Sequence, residues 1–151
     1  MKRLLCALLL TAMQLAYSQT AMPARPTTGS EVPAKWIRIA GSDRLTVYMD
    51  MSTIRPQGQY VKAWLLWKMS DPKGAPSGRY SYQSYKELGY VHCGDRTSSS
   101  KQIVYYDDDV GLGNVVNSIE MADNEMLFSD PVPGSLGESL IATTCRVSKR
   151  P

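Results

Sequence analysis

The sequence predicts an α+β fold that is mostly β, with about six strands in one antiparallel sheet and one C-terminal helix linked to that sheet by a disulfide. Short runs rich in β-branched and aromatic residues recur between turn signals over residues 36–119. The spacing of apolar residues then changes to a helical period over residues 136–147. Cys93 ends one predicted strand and Cys145 lies in the predicted helix, so a bond between them would join the two kinds of element.

The first residues have the pattern of a secretory signal peptide. Lys2 and Arg3 precede an apolar run over residues 4–13, and Ala16–Ser18 places small residues at a cleavage site. We expect cleavage after Ser18. The apolar run is shorter than the roughly 18 residues that a spanning helix needs, and no later stretch reaches that length. We therefore expect an exported protein without a membrane span.

Processing leaves one small domain. We assign residues 1–18 to the signal, 19–34 to a flexible leader rich in Pro, Thr, Ala and Gly, and 35–151 to a single domain. Loss of two basic residues with the signal lowers the net charge from +3 to +1 (3 − 2 = 1), which removes compositional support for nucleic-acid binding. Most of the apolar run follows Cys6 instead of preceding it, and no small residues stand directly before Cys6, so we expect no lipid attachment there.

Six runs of strand-like composition follow one another in the domain. Residues 41–44 suit a tight turn between the first two runs and predict a hairpin. Residues 56–59 are a second turn signal, and a loop with two prolines and two glycines follows the third run. The predicted strands are Trp36–Ile39, Leu45–Met49, Tyr60–Met69, Arg79–Cys93, Lys101–Tyr106 and Asn114–Ile119.

The third predicted strand has apolar side chains on both faces. Alternation places Leu65 and Trp67 on one face and Trp64 and Leu66 on the other. Tyr105 adds aromatic surface in a later strand. Because a single helix covers only one face of a sheet, we expect the second face to meet a protein partner or a second copy of the chain.

A helix is predicted over Leu136–Val147. Ser135 and Glu138 have the spacing of a capping box, in which the Ser135 hydroxyl accepts from the Glu138 amide and the Glu138 carboxylate accepts from the Ser135 amide. Only two cysteines remain after processing, and the compartment outside the inner membrane is oxidising, so we expect a Cys93–Cys145 disulfide. The helical stripe that faces the sheet contains Leu140, Ile141, Thr144 and Cys145.

The chain offers little catalytic chemistry. Its one histidine, His92, is next to Cys93, which we expect to be oxidised, so a nucleophile, a base and a residue that orients the base are not available together. The run Asp107–Asp109 lacks the glycine and the glutamate that an EF-hand calcium loop needs at later positions, and we expect a solvated turn. We expect no enzyme activity, no resident metal and no cofactor.

The order of several segments resembles that of the bacterial surface-adhesin protein E-like family. The resemblance spans about residues 35–147. It implies an antiparallel sheet with a disulfide-linked C-terminal helix and binding to host extracellular-matrix or serum proteins, and it allows homodimers. The segments are Trp36 before the first hairpin, the run from Tyr48 through Asp50 to Ile54, Trp64, the strand 84–93, and Pro133–Ser135 with Cys145 in the helix.

We therefore expect an exported, non-enzymatic, adhesin-like protein-binding module in the periplasm or on the outer surface of a Gram-negative bacterium. The alternative is a periplasmic structural or accessory protein of an envelope complex. Aromatic and basic side chains often anchor interfaces, although aromatic residues also suit the core of an ordinary sheet. The candidate binding surface contains Trp64, Leu66, Lys86, Arg96, Lys101 and Tyr105.

Overall fold

A computed structural model describes residues 31–76 and 78–149. The predicted signal peptide, its cleavage after Ser18 and residues 19–30 of the predicted leader lie outside the described residues. Two short 3-10 turns, Met51–Thr53 and Asp123–Glu125, interrupt the connections. The main elements are β1 (Trp36–Gly41), β2 (Leu45–Asp50), β3 (Arg55–Gln57), β4 (Tyr60–Gly74), β5 (Ser81–His92), β6 (Thr97–Tyr106), β7 (Val115–Glu120) and α1 (Leu136–Val147).

The strands form one antiparallel sheet in the order β1-β2-β4-β5-β6-β7, with β3 paired to the N-terminal part of β4. This confirms the predicted α+β fold and adds one strand to it. The extra strand, β3, covers residues that we assigned to a turn, because it has only three residues and contains Pro56. Gly58, at φ 61°, completes the tight turn into β4. Proline is tolerated there because β3 has no second neighbour in the sheet.

The long strand β4 continues beyond its predicted end at Met69. Its pairing with β5 is regular from Tyr60 to Lys68 and resumes at Lys73 after an irregularity. We assigned this stretch to a loop because Pro72 lacks the N–H that a regular ladder uses, and the irregularity removes that requirement. Residues 70–74 are exposed, so the extension adds nothing to the core.

The first face of the sheet packs against α1. Met49 and Leu65, which are directly opposite each other in β2 and β4, contact Leu140 and Ile141 of the helix in one buried cluster. The predicted stripe is confirmed, since these two helical residues and Thr144 are buried. Cys145 extends the same stripe and forms the predicted disulfide with Cys93, which follows β5. Helix and sheet are therefore joined both by apolar packing and by a covalent bond.

The helix begins as predicted, with one change in its cap. The Ser135 hydroxyl accepts from the Glu138 amide at 3.3 Å. The Glu138 carboxylate accepts from the amide of Gly134 at 2.8 Å instead of the amide of Ser135, which donates to the carbonyl of Val132. None of the helices in the described ranges is both long enough and apolar enough to cross a membrane.

The second face of the sheet is covered in part by the loop of residues 107–113, which connects β6 to β7. Val110 of this loop is 1% exposed, and Leu66 beneath the loop is 0% exposed. The loop therefore keeps Leu66 from contacting a partner in this conformation. The run Asp107–Asp109 lies in a turn with Asp107 exposed, but the sequence pattern does not reveal that the run folds back across β4 and β5.

Candidate functional site: a lysine pocket on the second face

Three polar side chains of the sheet hold the 107–113 loop in place. The Ser84 hydroxyl donates to the carbonyl of Asp108, and the Lys86 ammonium donates to the carbonyl of Gly111, each at 2.7 Å. The Lys68 ammonium pairs with the Asp109 carboxylate at 2.5 Å. Strands β4 and β5 thus contribute to the loop's anchoring on this face as well as to the sheet.

The acidic residues of the loop organise its own backbone. Asp108 accepts from the amides of Gly111 and Leu112, each at 2.9 Å, and Asp107 accepts from the amide of Asn114 at 2.8 Å. These carboxylates therefore serve as turn acceptors. In the part of the chain that the structure describes, no group of three or more His, Cys, Asp or Glu side chains is arranged to hold a metal ion.

Gly111 lets the loop approach the sheet closely. Its φ of 69° lies in the left-handed region, which favours glycine. A Cβ atom at this position would lie 2.8 Å from Cε of Lys86 and 3.3 Å from Cδ1 of Leu66. A side chain here would be strained by the backbone conformation and would displace the end of the Lys86 side chain.

Beside this loop, an open pocket of about 360 Å³ lies between β1, β4, β5 and β6, and we call it the lysine pocket. Register brings its walls together, because Trp36 is opposite Asp50 in the β1–β2 pair and Lys86 is opposite Val104 in the β5–β6 pair. The residues that line it are Lys35, Trp36, Asp50, Thr53, Trp64, Lys86, Val104 and Tyr106.

The ammonium of Lys86 lies among aromatic rings. Its Nζ atom is 5.9 Å from the ring centroid of Trp36 and 5.0 Å from that of Tyr106. Burial lowers the pKa of Lys86, the charge of Lys35 lowers it further, and the carboxylates of Asp108 and Asp50 only partly oppose these two effects. The charged form of Lys86 is therefore incompletely compensated by its surroundings.

The one carboxylate that lines the lysine pocket is already engaged. Asp50 pairs with Lys35 at 2.9 Å and accepts from the amide and the hydroxyl of Ser52 at 3.0 and 2.6 Å. Burial raises the pKa of Asp50, but the hydrogen bonds from Ser52 and Lys35 outweigh burial and leave the pKa below its ordinary value. The hydroxyl of Thr53 donates to the Asp50 carbonyl and accepts from the Trp64 amide, so it is not an activated nucleophile.

The structure brings together only part of the candidate binding surface predicted from the sequence. Trp64 and Lys86 line the lysine pocket, and Leu66 is buried beside it. Tyr105 is 8% exposed and lies in line with Trp67 and Tyr85 on the first face of the sheet. A partner on the lysine pocket would therefore not contact Leu66 or Tyr105 in this conformation.

The two remaining candidates lie elsewhere. Arg96 lines a separate cavity of about 510 Å³ beside the disulfide, with Arg146 and Lys149, and its guanidinium is 3.6 Å from the Glu138 carboxylate. Lys101 donates to Asp123 at 2.7 Å, which raises the pKa of Lys101. Sequence reasoning missed six lining residues, although three of them, Trp36, Asp50 and Thr53, lie in the segments that carried the family resemblance. The other three are Lys35, Val104 and Tyr106.

Comparison with known proteins assigns both the fold and the family. The family model of surface-adhesin protein E matches residues 36–146. A structure of Haemophilus influenzae protein E is similar at a TM-score of 0.57 and 14% identity, covering 80% of this chain and 91% of that one. A second crystal form of that protein gives a TM-score of 0.59 at 15% identity, covering 86% of this chain and 100% of that one.

Protein E from non-typeable Haemophilus influenzae is also similar, at a TM-score of 0.52 and 15% identity over 82% of this chain and 78% of that one. A search among curated proteins finds no match. The structural similarity establishes the shared fold, and the family model covers most of the domain, including the strands that form the lysine pocket and the helix that carries Cys145. The chain belongs to the surface-adhesin protein E family.

Proposed function

We propose that the chain is an exported, adhesin-like surface protein that binds a protein partner through the lysine pocket, where the partner inserts a carboxylate side chain. The observation that carries this proposal is the state of Lys86. Its ammonium lies in an open aromatic pocket beside a second ammonium, that of Lys35, and its pKa is lowered. A carboxylate from outside would supply the missing compensation.

The composition of the lysine pocket suits a protein interface. Tryptophan, tyrosine and arginine in well-packed, desolvated pockets provide much of the binding energy in protein complexes, and the lysine pocket contains the first two of these. Trp36, Trp64 and Tyr106 provide apolar walls. Each belongs to a strand of the sheet, with Trp36 first in β1, Trp64 within β4 and Tyr106 last in β6. A carboxylate held by an ammonium in such a setting makes a charge-assisted hydrogen bond, which is stronger than one between neutral groups.

Membership of a surface-adhesin family supports binding to host extracellular-matrix or serum proteins. A periplasmic accessory protein could use the same pocket to bind an envelope component. The identity of the partner therefore distinguishes the two roles. Neither role needs catalysis, and the contacts of Thr53 within the lysine pocket agree with a binding role.

The expected result is that Lys86→Met lowers affinity for a host partner by about tenfold or more, because a hydrogen bond to a charged group contributes about 1.5–3 kcal/mol. The measurement is biolayer interferometry of the exported protein on immobilised matrix and serum proteins. Lys68→Met is the matched control, since Lys68 also anchors the 107–113 loop but does not line the pocket. Its affinity should stay within about threefold of wild type.

Two outcomes would count against this assignment. Equal losses in both lysine variants would place the effect in the loop's anchoring instead of the pocket. A wild-type protein that binds no member of the panel would remove the host-ligand role and favour the periplasmic alternative.

A further inference from the structure

A further cavity, which we call the tyrosine pocket, lies on the opposite face of the sheet, between the N-terminal part of α1 and strands β4 to β6. Its volume is about 380 Å³, within the range of small-ligand sites. Five aromatic side chains line it, together with a single glutamate, Glu87. They are Trp67, Tyr82, Tyr85, Tyr90 and Tyr105, and all except Tyr90 belong to one cluster of ring contacts.

Strand register assembles the aromatic walls. Trp67, Tyr85 and Tyr105 are directly opposite one another on three adjacent strands, so their side chains share one face. The ring centroids of Trp67 and Tyr85 are 5.5 Å apart, and Tyr82 meets Tyr105 edge to face at 4.8 Å. The walls are therefore held by contacts among the rings themselves.

Glu87 reaches the same cavity from the next row of the sheet, between Leu65 and Ile103. It is the only Asp, Glu, Lys, Arg or His among the residues that line the tyrosine pocket. Burial raises the pKa of Glu87, while the hydroxyl of Ser100, which donates to its carboxyl, opposes the rise. This carboxyl group thus lies in an aromatic cavity without a cationic partner in its lining.

A second polar group, the indole N–H of Trp67, lies beside Glu87 in the tyrosine pocket. The indole N–H of Trp67 is buried beside the carboxyl of Glu87, and like the hydroxyl of Ser100 it lowers the pKa of that carboxyl by hydrogen bonding. An indole N–H can only donate, so it does not bind a cation itself, and the negative charge of the pocket is that of Glu87 alone.

We propose that the tyrosine pocket binds an organic ammonium group, with its alkyl surface against the aromatic rings and its charge against Glu87. The electron-rich faces of tryptophan and tyrosine attract cations, and recognition of alkylated ammonium groups by aromatic side chains is the established use of this interaction. The carboxylate adds the opposite charge at one wall. An anionic ligand would meet repulsion there, and the lysine pocket on the other face has the complementary preference.

An ammonium of this class has two sources, a free quaternary amine or a lysine side chain presented by a protein. The exported protein is titrated with choline, with Nα-acetyl-lysine N-methylamide, and with 3,3-dimethylbutan-1-ol, the neutral isostere of choline. Binding is followed through the indole N–H resonance of Trp67 in a ¹H–¹⁵N spectrum. Choline, the lysine derivative or both should shift this resonance saturably and should bind about tenfold more tightly than the neutral isostere. The ammonium compound that binds more tightly identifies the source of the ligand.

Glu87→Gln tests the role of the charge with almost no change in volume. It should lower affinity for the bound ammonium about tenfold and leave any binding of the neutral isostere unchanged. Glu120→Gln, which removes an exposed carboxylate of β7, is the matched control and should alter neither. Equal binding of choline and its isostere, no binding of either ammonium, or full ammonium affinity in Glu87→Gln would overturn the proposal. None of these results bears on Lys86, which lies on the other face of the sheet.

Discussion

Removal of the disulfide is expected to lower the free energy of unfolding by about 4 kcal/mol, the loss of loop-closure entropy for a 52-residue separation. This is a large share of the stability of a small domain, which is about 5–15 kcal/mol. The bond matters here because α1 meets the sheet mainly through one stripe, with Leu140 and Ile141 at its centre. Without the bond, the helix is held by that stripe and by the exposed Arg96–Glu138 ion pair.

The measurement is urea unfolding of the Cys93→Ala/Cys145→Ala variant, followed by circular dichroism and compared with wild type in oxidised and in reduced form. The variant and the reduced wild type should show similar losses in the free energy of unfolding relative to the oxidised wild type, because neither contains the cross-link. A loss below about 1 kcal/mol in both would show that packing alone holds the helix.

Leu66→Ala is expected to lower the free energy of unfolding by about 2–5 kcal/mol, the usual result of deleting a fully buried leucine side chain. The physical reason is the 107–113 loop, which covers Leu66 on the second face of the sheet. If Leu66 were instead part of a bare partner-binding surface, its truncation would change stability by only about 0.5 kcal/mol. Denaturant unfolding separates the two cases.

Leu112→Ala provides the matched control for this experiment. Leu112 belongs to the same loop and undergoes the same chemical change, but its side chain is 66% exposed. We expect the free energy of unfolding of Leu112→Ala to stay within about 0.5 kcal/mol of the wild-type value. Similar losses in the two variants would mean that the loop is anchored as a unit and that Leu66 has no special position beneath it.

The helix was predictable from the sequence because its signals are local. A serine cap, a glutamate three residues later and a stripe at helical spacing lie within one short segment, and the structure places α1 at Leu136–Val147 as predicted. The disulfide followed from compartment and cysteine count, without knowledge of the fold. Neither inference required knowledge of a long-range contact.

The second face of the sheet was not predictable in the same way. Its cover depends on the 107–113 loop reaching Ser84, Lys86 and Lys68 in other strands, and nothing in the acidic run itself specifies that contact. The short strand β3 escaped prediction because three residues with a proline have the composition of a turn. Non-local contacts decided the first feature, whereas β3 pairs locally with the start of β4.

The candidate site was predictable only as a set of residue types. Aromatic and basic side chains singled out Trp64 and Lys86, but composition could not separate them from Tyr105, which faces the helix side, or from Arg96, near the disulfide. Register decides which side chains share a face, and bulges such as the one between Leu88 and Gly89 shift it. That is why Trp36 and Tyr106 emerged only from the structure.

The most direct test of partner binding at the lysine pocket is zero-length crosslinking of the complex with a water-soluble carbodiimide, which joins an amine to a carboxylate in contact with it. Mass spectrometry then locates the new amide bonds. We expect links from Lys86, or from its neighbour Lys35, to aspartate or glutamate residues of the partner. Links from Lys73 or Lys149 to the partner, with none from Lys35 or Lys86, would contradict binding through the lysine pocket.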